Sequence, residues 1–266
     1  MKIFDTITFF RENFITNLRF EILNDVVDYF VICESKYDHQ GKEKKLNFYL
    51  KNQEFKKKII YLVLDKPFRK GNSAWQNQAL QREYILNGLK DAKKDDYIMF
   101  SDPDEIPDPK RINEVKLKKK YGIFLQKCFC YKFNLYNKYE SPWEGTRICQ
   151  FKNLGSVDYL RQKILSKNLS SPFWKFYKNK SIELIDNGGW HFNSLFTPED
   201  ISLKLKTFAH NEFSKPIYSD VEVIRRNILE KKDLFKRGWN YQKIELDETF
   251  PSHIYKNKKL FKEWIV

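Results

Sequence analysis

The sequence predicts an α/β fold, in which helices flank a mostly parallel central sheet. Three short apolar runs, at 29–33, 59–64 and 97–100, each end in acidic or polar residues. Such runs are typical of strands that are buried on both faces of a parallel sheet. Helix-like segments separate them, so we expect right-handed βαβ crossovers. The 266 residues suffice for one large domain, and no repeat, low-complexity tract or flexible linker divides them.

Two helices are predicted in the first hundred residues. The segment 14–23 places Phe14, Leu18 and Ile22 at four-residue spacing, which indicates one apolar helix face. The segment 75–90 contains no proline and is rich in Ala, Leu, Gln and Glu, which favours a second helix before the third apolar run.

The second half of the chain has a different pattern. Residues 121–136 form a long, aromatic, strand-like stretch, and turn residues separate it from a second run at 146–151. We therefore expect antiparallel strands added to the parallel sheet. Residues 166–181 are polar and aromatic and are predicted to form a loop. Thr197 followed by Pro198 is typical of a helix start, so the two acids that follow are better explained by helix capping than by catalysis.

The chain is strongly basic, yet it belongs to neither the disordered nor the membrane-spanning class. It has 49 Lys and Arg against 35 Asp and Glu, a formal net charge of +14, and 17% aromatic residues. Disordered chains combine high charge with few aromatics, and no apolar run reaches the roughly 18 residues that a membrane span needs. The start lacks the apolar region of a signal peptide, so we expect a cytoplasmic protein. The basic, aromatic tail at 255–266 suits a docked C-terminal helix, which is favoured, or peripheral contact with the inner face of a membrane.

The cysteines do not predict a metal site. Cys33, Cys128, Cys130 and Cys149 lie in apolar, strand-like contexts. No CxxC pair and no matching histidine spacing accompanies them, so buried reduced thiols are favoured.

The most informative motif is an acidic cluster that directly follows the third apolar run. Asp102, Asp104 and Glu105 lie within four residues, and Pro103 and Pro107 stiffen the turn. Three carboxylates so close together repel one another unless a proton or a cation neutralises them. Mg²⁺ or Mn²⁺, bound by one or two of these acids and by a diphosphate, is the favoured interpretation, and a solvated acidic turn is the alternative.

The ends of the other two apolar runs are also polar. The first ends at Glu34 and Ser35, and the second ends at Asp65. In open α/β sheets, ligands bind at the carboxyl ends of the strands. The three strand ends together predict a functional site at this edge of the sheet.

A second candidate segment contains Gly188, Gly189, Trp190 and His191. Two adjacent glycines let the backbone approach a ligand closely, and the imidazole offers a further metal ligand. Considered alone, His191 is better interpreted as a structural histidine.

Three stretches of this sequence resemble glycosyltransferase family 17. They are VVDYFVICES at 26–35, SDPDEIP at 101–107 and GWHF at 189–192, and they occur in the family's order. Further matching positions are 20–25, 41–42, 95–97, 196–199 and Lys204, so the resemblance extends over residues 4–240. This family includes the enzyme that adds the bisecting N-acetylglucosamine to N-glycans.

The resemblance implies a nucleotide-sugar transferase of the GT-A type. It implies one domain, with a nucleotide-binding half at 1–110 and an acceptor-binding half with C-terminal helices at 111–266. The expected donor is a UDP-sugar, the expected cofactor is Mn²⁺ or Mg²⁺, and the expected sugar is N-acetylglucosamine. The sugar is transferred to a glycan hydroxyl in a single displacement with inversion, and a carboxylate deprotonates that hydroxyl.

The resemblance also assigns roles to the candidate site residues. The expected metal ligands are Asp102, Asp104 and His191. The expected contacts to the nucleotide or its diphosphate are Glu34, Ser35, Arg82, Asp102 and Lys204. The expected general base is Glu105 or Glu212.

The acceptor is less closely specified than the donor. A Lys- and Asn-rich composition suits a bacterial or viral member, so a surface polysaccharide or a lipid-linked glycan is expected instead of a bisected N-glycan. No nucleic-acid partner is expected, because the lysines are scattered along the chain. The alternative function is a basic protein that binds single-stranded nucleic acid without catalysis, by stacking bases on Tyr and Phe.

Overall fold

The computed structural model describes residues 1–207 and 213–266. Its strands are β1 Ile3–Phe9, β2 Tyr29–Ser35, β3 Ile59–Leu64, β4 Tyr97–Ser101, β5 Glu105–Pro107, β6 Tyr121–Cys130, β7 Leu135–Tyr136, β8 Trp143–Gln150, β9 Ile182–Ile185, β10 Gly189–Asn193 and β11 Gln242–Lys243. Its α-helices are α1 Asn13–Leu23, α2 Ala74–Tyr84, α3 Pro109–Glu114, α4 Val157–Lys163, α5 Pro198–Thr207, α6 Pro216–Ser219, α7 Val221–Leu229 and α8 Ser252–Lys256. Short 3-10 helices cover Gln53–Lys58, Ile85–Gly88, Phe151–Asn153, Ser166–Asn168 and Lys262–Trp264.

The strands form one mixed sheet with a parallel block. Among the described residues, the main path has the order β11-β7-β6-β8-β4-β1-β2-β3. Strands β3, β2, β1 and β4 run parallel, whereas β8 is antiparallel to both β4 and β6. Strands β9 and β10 pair with β6 off this path, and β10 also pairs with β5. The predicted fold class, α/β with antiparallel additions in the second half, is confirmed.

The strand that the sequence pattern did not predict, β1, lies inside the parallel block. It pairs with β2 on one side and with β4 on the other. Its Asp5 is buried and accepts two hydrogen bonds of 2.6 Å from the guanidinium of Arg19, a fully buried side chain of α1. A buried carboxylate is tolerated only when it is paired and hydrogen-bonded, and Arg19 supplies that partner. The polar start of the chain is therefore a buried strand.

The helix predicted at 14–23 is confirmed as α1, but its buried face is rotated. The side chains that α1 buries are Ile15, Thr16, Leu18, Arg19, Phe20 and Leu23. Phe14, which the spacing places on the apolar face, is partly exposed and stacks on Trp264 with ring centroids 5.0 Å apart. The buried face follows Arg19 because this side chain has to reach Asp5.

The second predicted helix is confirmed as α2, but it is shorter. Ser73 and Gln76 form a capping box at its start. The α-helix ends at Tyr84, and a 3-10 helix takes the chain to Gly88. A side chain at Gly88 would collide with Val31 of β2, so the chain passes too close to the sheet for the helix to continue to residue 90 as predicted.

The second half agrees with the sequence pattern except at its boundaries. The stretch predicted at 121–136 is divided into β6 and β7, and the run at 146–151 is the later part of β8. The loop predicted at 166–181 is confirmed, apart from its single 3-10 helix. The Thr197 hydroxyl accepts a hydrogen bond of 3.2 Å from the backbone N–H of Asp200, which confirms the predicted cap of α5.

The glycines before His191 serve strand packing instead of a ligand. Strand β10 is antiparallel to β5, with His191 opposite Glu105. Gly189 has a φ of +125°, and a Cβ there would overlap the carbonyl oxygen of Ile106 and the backbone nitrogen of Asp108. The close approach predicted for this segment is thus between two strands, and it places His191 beside the acidic cluster.

The C-terminal tail packs on the core, as the favoured interpretation predicted. Phe261 is buried, and Trp264 packs against the same core cluster. The backbone N–H of Val266 donates to Asn134 Oδ1 at 2.9 Å, and Asn134 Nδ2 donates to the carbonyl of Val266. The helical part of the docked tail is the 3-10 helix Lys262–Trp264, and contact of the tail with a membrane stays a prediction. Among the described residues, no helix has the length and apolar character needed to cross a bilayer.

We expect Gly189→Ala to lower the free energy of unfolding by about 2–4 kcal/mol, because the new Cβ overlaps backbone atoms and the φ is unfavourable for alanine. Urea unfolding followed by circular dichroism measures the change. Gly155→Ala is the matched control, since a Cβ at Gly155 meets nothing within 4 Å, and we expect a change within about 0.5 kcal/mol. Equal unfolding midpoints for the two variants would contradict the close approach of β10 to β5.

Candidate active site

The acidic cluster lies at the carboxyl end of β4, in the turn that leads into β5. The Asp102 side chain is 34% exposed, whereas Asp104 and Glu105 are buried. Because β4 is flanked by β1 and β8, this turn opens at the middle of the sheet. The cluster therefore occupies the strand end at which the sequence placed it.

A guanidinium that the sequence pattern did not predict binds two of the three acids. Arg161 of α4 donates through Nη2 to Asp102 Oδ2 at 2.6 Å and to Glu105 Oε1 at 2.7 Å, and through Nη1 to Glu105 Oε2 at 3.1 Å. Its side chain is mostly buried, so water screens these charges poorly. Arg161 thus neutralises Asp102 and Glu105 and leaves Asp104 without an arginine.

The two aspartates differ in their pKa values as a consequence. Burial alone raises the pKa of Asp102, but Arg161, supported by Arg82, outweighs that effect and lowers this pKa to about 2. Burial also raises the pKa of Asp104, and here His191 and Lys204 compensate it only in part. Asp102 is therefore a fixed anion, whereas Asp104 lacks a strong cationic partner.

Glu105 has no free oxygen for proton transfer. Besides its bonds from Arg161, it accepts from Trp143 Nε1 at 2.7 Å and from the backbone N–H of Asp102 at 3.2 Å. Its side chain is fully buried, whereas a general base has to reach the hydroxyl that it deprotonates. This geometry argues against the predicted role of Glu105 as the base and makes it a residue that positions its neighbours. The other predicted base, Glu212, lies outside the described residues.

Asp104 faces a histidine. Its Oδ1 is 3.6 Å from His191 Nε2, and the imidazole stacks on Trp143 with ring centroids 4.7 Å apart. The other ring nitrogen, Nδ1, lies 3.7 Å from Cys128 Sγ. Lys204 of α5 lines the same cavity, and its charge acts on Asp104. The structure therefore brings together Asp104, His191 and Lys204, three of the residues that the sequence selected.

Two cavities meet at the acidic turn. The first has a volume of about 330 Å³. Its lining includes the end of β1 at 8–10, the acidic turn at 102–105, His191 and Lys204. Apolar side chains of α5 and of the segment 234–235 complete the wall. Acidic, basic and apolar groups are thus combined in one pocket, as a ligand with a charged part and a flat ring requires.

The second cavity has a volume of about 610 Å³ and shares Gln78, Asp102 and Trp143 with the first. The cations in its lining are Arg82, Arg147, Arg161 and Lys167. Arg82 is paired with Asp158 at 2.8 Å. Arg82, predicted to contact the nucleotide, therefore lines the second cavity and not the one formed by the end of β1.

Glu34 and Ser35 line neither cavity, which corrects their predicted contact with a nucleotide. Glu34 is buried and accepts from Lys44 Nζ and the Tyr61 hydroxyl, each at 2.7 Å, and from two backbone N–H groups. The Ser35 hydroxyl accepts from the backbone N–H of Tyr37 at 2.9 Å. Both residues hold the loop that follows β2, and the strand next to β4 in the sheet is β1, not β2.

The cysteines are free and buried, as predicted. Within the described residues, the one trio of candidate metal ligands whose atoms all lie within 4.8 Å is Cys128, Cys130 and Glu140. Asn137 Nδ2 donates to Glu140 Oε2 at 2.7 Å and lies 3.6 Å from Cys130 Sγ. A protein amide therefore already satisfies this group.

The sequence pattern did not predict Arg161, Trp143 or the end of β1. Arg161 lies 59 positions after Asp102, in a short helix that contains one other basic residue, Lys163, so nothing local distinguishes it. Trp143 begins a strand after a turn, where an aromatic residue is ordinary. For β1, only the last four residues of IFDTITF alternate between polar and apolar side chains, so the local signal was weak.

The fold and the site together define the class of protein. An acidic turn at a strand end, beside two cavities that share lining residues, is the kind of place at which open α/β folds bind ligands. The model of glycosyltransferase family 17 matches residues 1–242, and the chain belongs to this family. The predicted family is confirmed.

Two curated relatives are longer than this chain. The β-1,4-mannosyl-glycoprotein 4-β-N-acetylglucosaminyltransferases of Rattus norvegicus and Homo sapiens are each 25% identical to this chain over 291 aligned residues. The alignments cover 99% of this chain but 53% and 54% of those enzymes. The chain thus spans about half the length of the curated relatives it matches.

Two solved structures show a distant likeness. A glycosyltransferase involved in the glycosylation of the major capsid of PBCV-1 has 11% identity and a TM-score of 0.34, covering 70% of this chain and 82% of that one. The glucosyl-3-phosphoglycerate synthase of Mycobacterium tuberculosis, in complex with Mn²⁺, UDP-glucose and phosphoglyceric acid, has 10% identity and a TM-score of 0.38, covering 95% and 90%. TM-scores at this level carry no argument about this chain.

We expect Arg161→Met to lower the free energy of unfolding by about 3–5 kcal/mol, because it leaves a buried Glu105 without its cation. Urea unfolding at neutral pH measures this. Arg225→Met is the matched control: Arg225 pairs with Glu199 at 2.7 Å on the surface, and such a pair contributes at most about 1 kcal/mol. A loss at Arg161 no larger than the loss at Arg225 would show that the buried network is unimportant for stability.

Proposed function

We propose that the chain is a metal-dependent glycosyltransferase that moves N-acetylglucosamine from a UDP-sugar to a glycan hydroxyl with inversion. The observation that carries this proposal is the grouping of Asp104, His191 and Lys204 in the first cavity. A carboxylate and an imidazole suit a divalent cation, and an ammonium beside them suits a diphosphate. Membership of family 17 and the N-acetylglucosaminyltransferase names of the relatives support the choice of sugar.

Asp104 and His191 fit a divalent cation as a two-residue set. Their ligand atoms are 3.6 Å apart, whereas Asp102 Oδ2 is bound by Arg161. Mg²⁺ and Mn²⁺ are commonly bound by one or two side chains together with substrate phosphates, and the imidazole favours Mn²⁺ of the two. When bound, the cation would stabilise the charge on the departing diphosphate. We assign Asp102, fixed as an anion, to the donor nucleotide instead of direct contact with the metal.

The second cavity suits the acceptor glycan. Arg82 Nε, a donor, and Gln78 Oε1, an acceptor, are buried atoms with no hydrogen-bond partner among the described residues. A sugar hydroxyl both donates and accepts, so the hydroxyls of a glycan offer partners for both atoms. The residues are four positions apart and therefore lie on one face of α2. We accordingly assign Arg82 to the acceptor.

The chain's own residues divide the work of a single displacement. The acceptor hydroxyl attacks the anomeric carbon, the bond to the diphosphate breaks, and a base takes the hydroxyl proton. Lys204 stabilises the negative charge that develops on the diphosphate. Trp143, fixed by Glu105, forms the wall between the two cavities and aligns donor and acceptor. Because Glu105 is saturated, Glu212 is the preferred base of the two that were predicted.

We propose a single domain with both cavities shared between its halves. Residues from both halves line the first cavity. Those before residue 110 include 8–10 and 102–105, and those after it include residues within 191–205. The predicted division at residue 110 therefore describes the order of the chain, and each substrate contacts both halves.

We expect 1 mM UDP to raise the melting temperature by roughly 5–10 °C when Mn²⁺ is present, and by much less without the metal, if the nucleotide is near 100 times its dissociation constant. Asp104→Asn should abolish this shift, because it removes the carboxylate that faces His191. Asp186→Asn, at an exposed aspartate, should retain it. A full Mn²⁺-dependent shift in Asp104→Asn would refute the metal assignment. A screen of donor sugars by nucleotide release with Mn²⁺ then tests the choice of UDP-N-acetylglucosamine.

We expect Lys204→Met to weaken UDP binding about 10–100-fold, since a charge-assisted hydrogen bond contributes about 1.5–3 kcal/mol. Titration calorimetry in the presence of Mn²⁺ measures the dissociation constant. The control is Lys206→Met, which removes an exposed lysine from the same helix turn and should bind UDP as the wild type does. If both variants bind UDP equally well, Lys204 does not contact the diphosphate.

A further inference from the structure

We infer that the aromatic loop, residues 172–178, binds the surface of an anionic lipid bilayer. It contains four exposed aromatic side chains: Phe173 is 76% exposed, Trp174 62%, Phe176 86% and Tyr177 73%. These are the four most exposed aromatic side chains in the described part of the chain. Exposed apolar groups clustered in this way mark an interaction site, and aromatic rings are the side chains that prefer the membrane–water interface.

The charge around the aromatic loop selects an anionic partner. Residues 166–181 contain no acid, and their lysines are Lys167, Lys175, Lys178 and Lys180. The Lys178 ammonium lies over the Tyr177 ring, 5.6 Å from its centroid. Basic residues interleaved with exposed aromatics combine attraction to acidic headgroups with shallow insertion of the rings. This pattern favours a lipid surface over a second copy of this basic chain, whose net charge of +14 repels another copy.

The conformation of the loop holds these rings outward. The backbone N–H of Lys175 donates to the carbonyl of Pro172 at 3.1 Å, and that of Lys178 donates to the carbonyl of Lys175 at 2.9 Å. Lys180 Nζ also donates to the Pro172 carbonyl, at 2.8 Å. Phe173 and Trp174 contact each other edge to face, with ring centroids 5.2 Å apart. Consecutive turns thus present the aromatic side chains without burying them in the core.

The position of the loop connects it to the proposed acceptor site. Tyr177 and Lys178 line a third cavity, of about 400 Å³, together with Gln162, Leu165 and Lys167. The last three residues also line the second cavity, to which we assign the acceptor glycan. A bilayer bound by the aromatic loop would therefore lie next to the mouth of that cavity. This step, which rests on the proposed function, indicates that the acceptor is carried on a membrane lipid.

Vesicle co-sedimentation of the full chain tests the membrane contact without any substrate. We expect binding to vesicles of phosphatidylcholine with 30% phosphatidylglycerol at about 0.1 M salt, and weaker binding to pure phosphatidylcholine or at about 0.5 M salt. The triple variant Phe173→Ser, Trp174→Ser, Phe176→Ser should bind about tenfold or more weakly, because it loses the inserted apolar surface. Each of Lys175→Gln and Lys178→Gln should weaken binding to the anionic vesicles about fivefold.

A matched control removes exposed apolar side chains elsewhere. The triple variant Tyr49→Ser, Leu229→Ser, Leu260→Ser changes three residues that are each 59% or more exposed. It should bind vesicles as the wild type does. Equal vesicle binding by the two triple variants, or no binding by the wild type, overturns the proposal. Light scattering gives a further test. The proposal is also overturned if the wild type is a dimer that does not bind vesicles and the triple variant of the aromatic loop is a monomer.

Two further measurements separate this proposal from the proposed function. Asp104→Asn should bind vesicles normally, because Asp104 lies in the first cavity. The aromatic-loop variant should keep the Mn²⁺-dependent thermal shift with UDP, since its three substituted residues line neither the first nor the second cavity. Loss of both properties in the aromatic-loop variant would mean that the loop supports the fold, which contradicts a role confined to the membrane.

Discussion

Mutual repulsion among three carboxylates at one strand end is the constraint on which the site depends. Asp102, Asp104 and Glu105 cannot all be anions in a half-buried turn unless cations are supplied from elsewhere in the chain. Arg161 of α4 supplies one such cation. Arg19 of α1 also holds this turn, because its guanidinium donates to the carbonyl of Glu105 at 2.6 Å. Two helices that are distant in sequence are thereby fixed to the edge of β4, and the two cavities take their shape from that arrangement.

The arginines also decide which acid remains available. Glu105 is saturated by Arg161 and Trp143, so it acts as a structural anchor although it belongs to the motif. Asp104 faces His191, and the positive charges of His191 and Lys204 offset only part of the effect of burial, which raises the pKa of Asp104. A site that needs an exogenous cation has to leave one acid uncompensated while neutralising the others, and this is the distribution found here. The motif alone shows three equivalent acids, whereas the structure gives them three different surroundings.

Local signals in the sequence were enough for β2, β3 and β4 of the parallel block, the strand-end acids and the cap of α5. The prediction of the site was wrong where the hydrogen-bond partners of a side chain are remote in the sequence. Glu34 lies at the end of a buried strand, much as Asp102 does, but its carboxylate accepts hydrogen bonds from Lys44 and Tyr61. No sequence pattern near Glu34 indicates these bonds. Strand β1 was missed because its Asp5 looks like surface until Arg19 is known to be buried beside it. Family resemblance supplied His191 and Lys204, for which spacing alone favoured structural or surface roles.

The positive charge of the chain has two separate uses, which the residue types distinguish. At the acidic turn, the cation that binds Asp102 and Glu105 is an arginine, whose planar guanidinium can hold two carboxylates at once, as Arg161 does. On the surface the charge is mostly lysine, a hydrated point charge suited to diffuse attraction. Diffuse attraction toward a membrane becomes a fixed orientation only where apolar groups accompany it. The aromatic loop combines the two beside the proposed acceptor cavity, so the same net charge that steers the protein to an anionic surface would also orient its active site toward that surface.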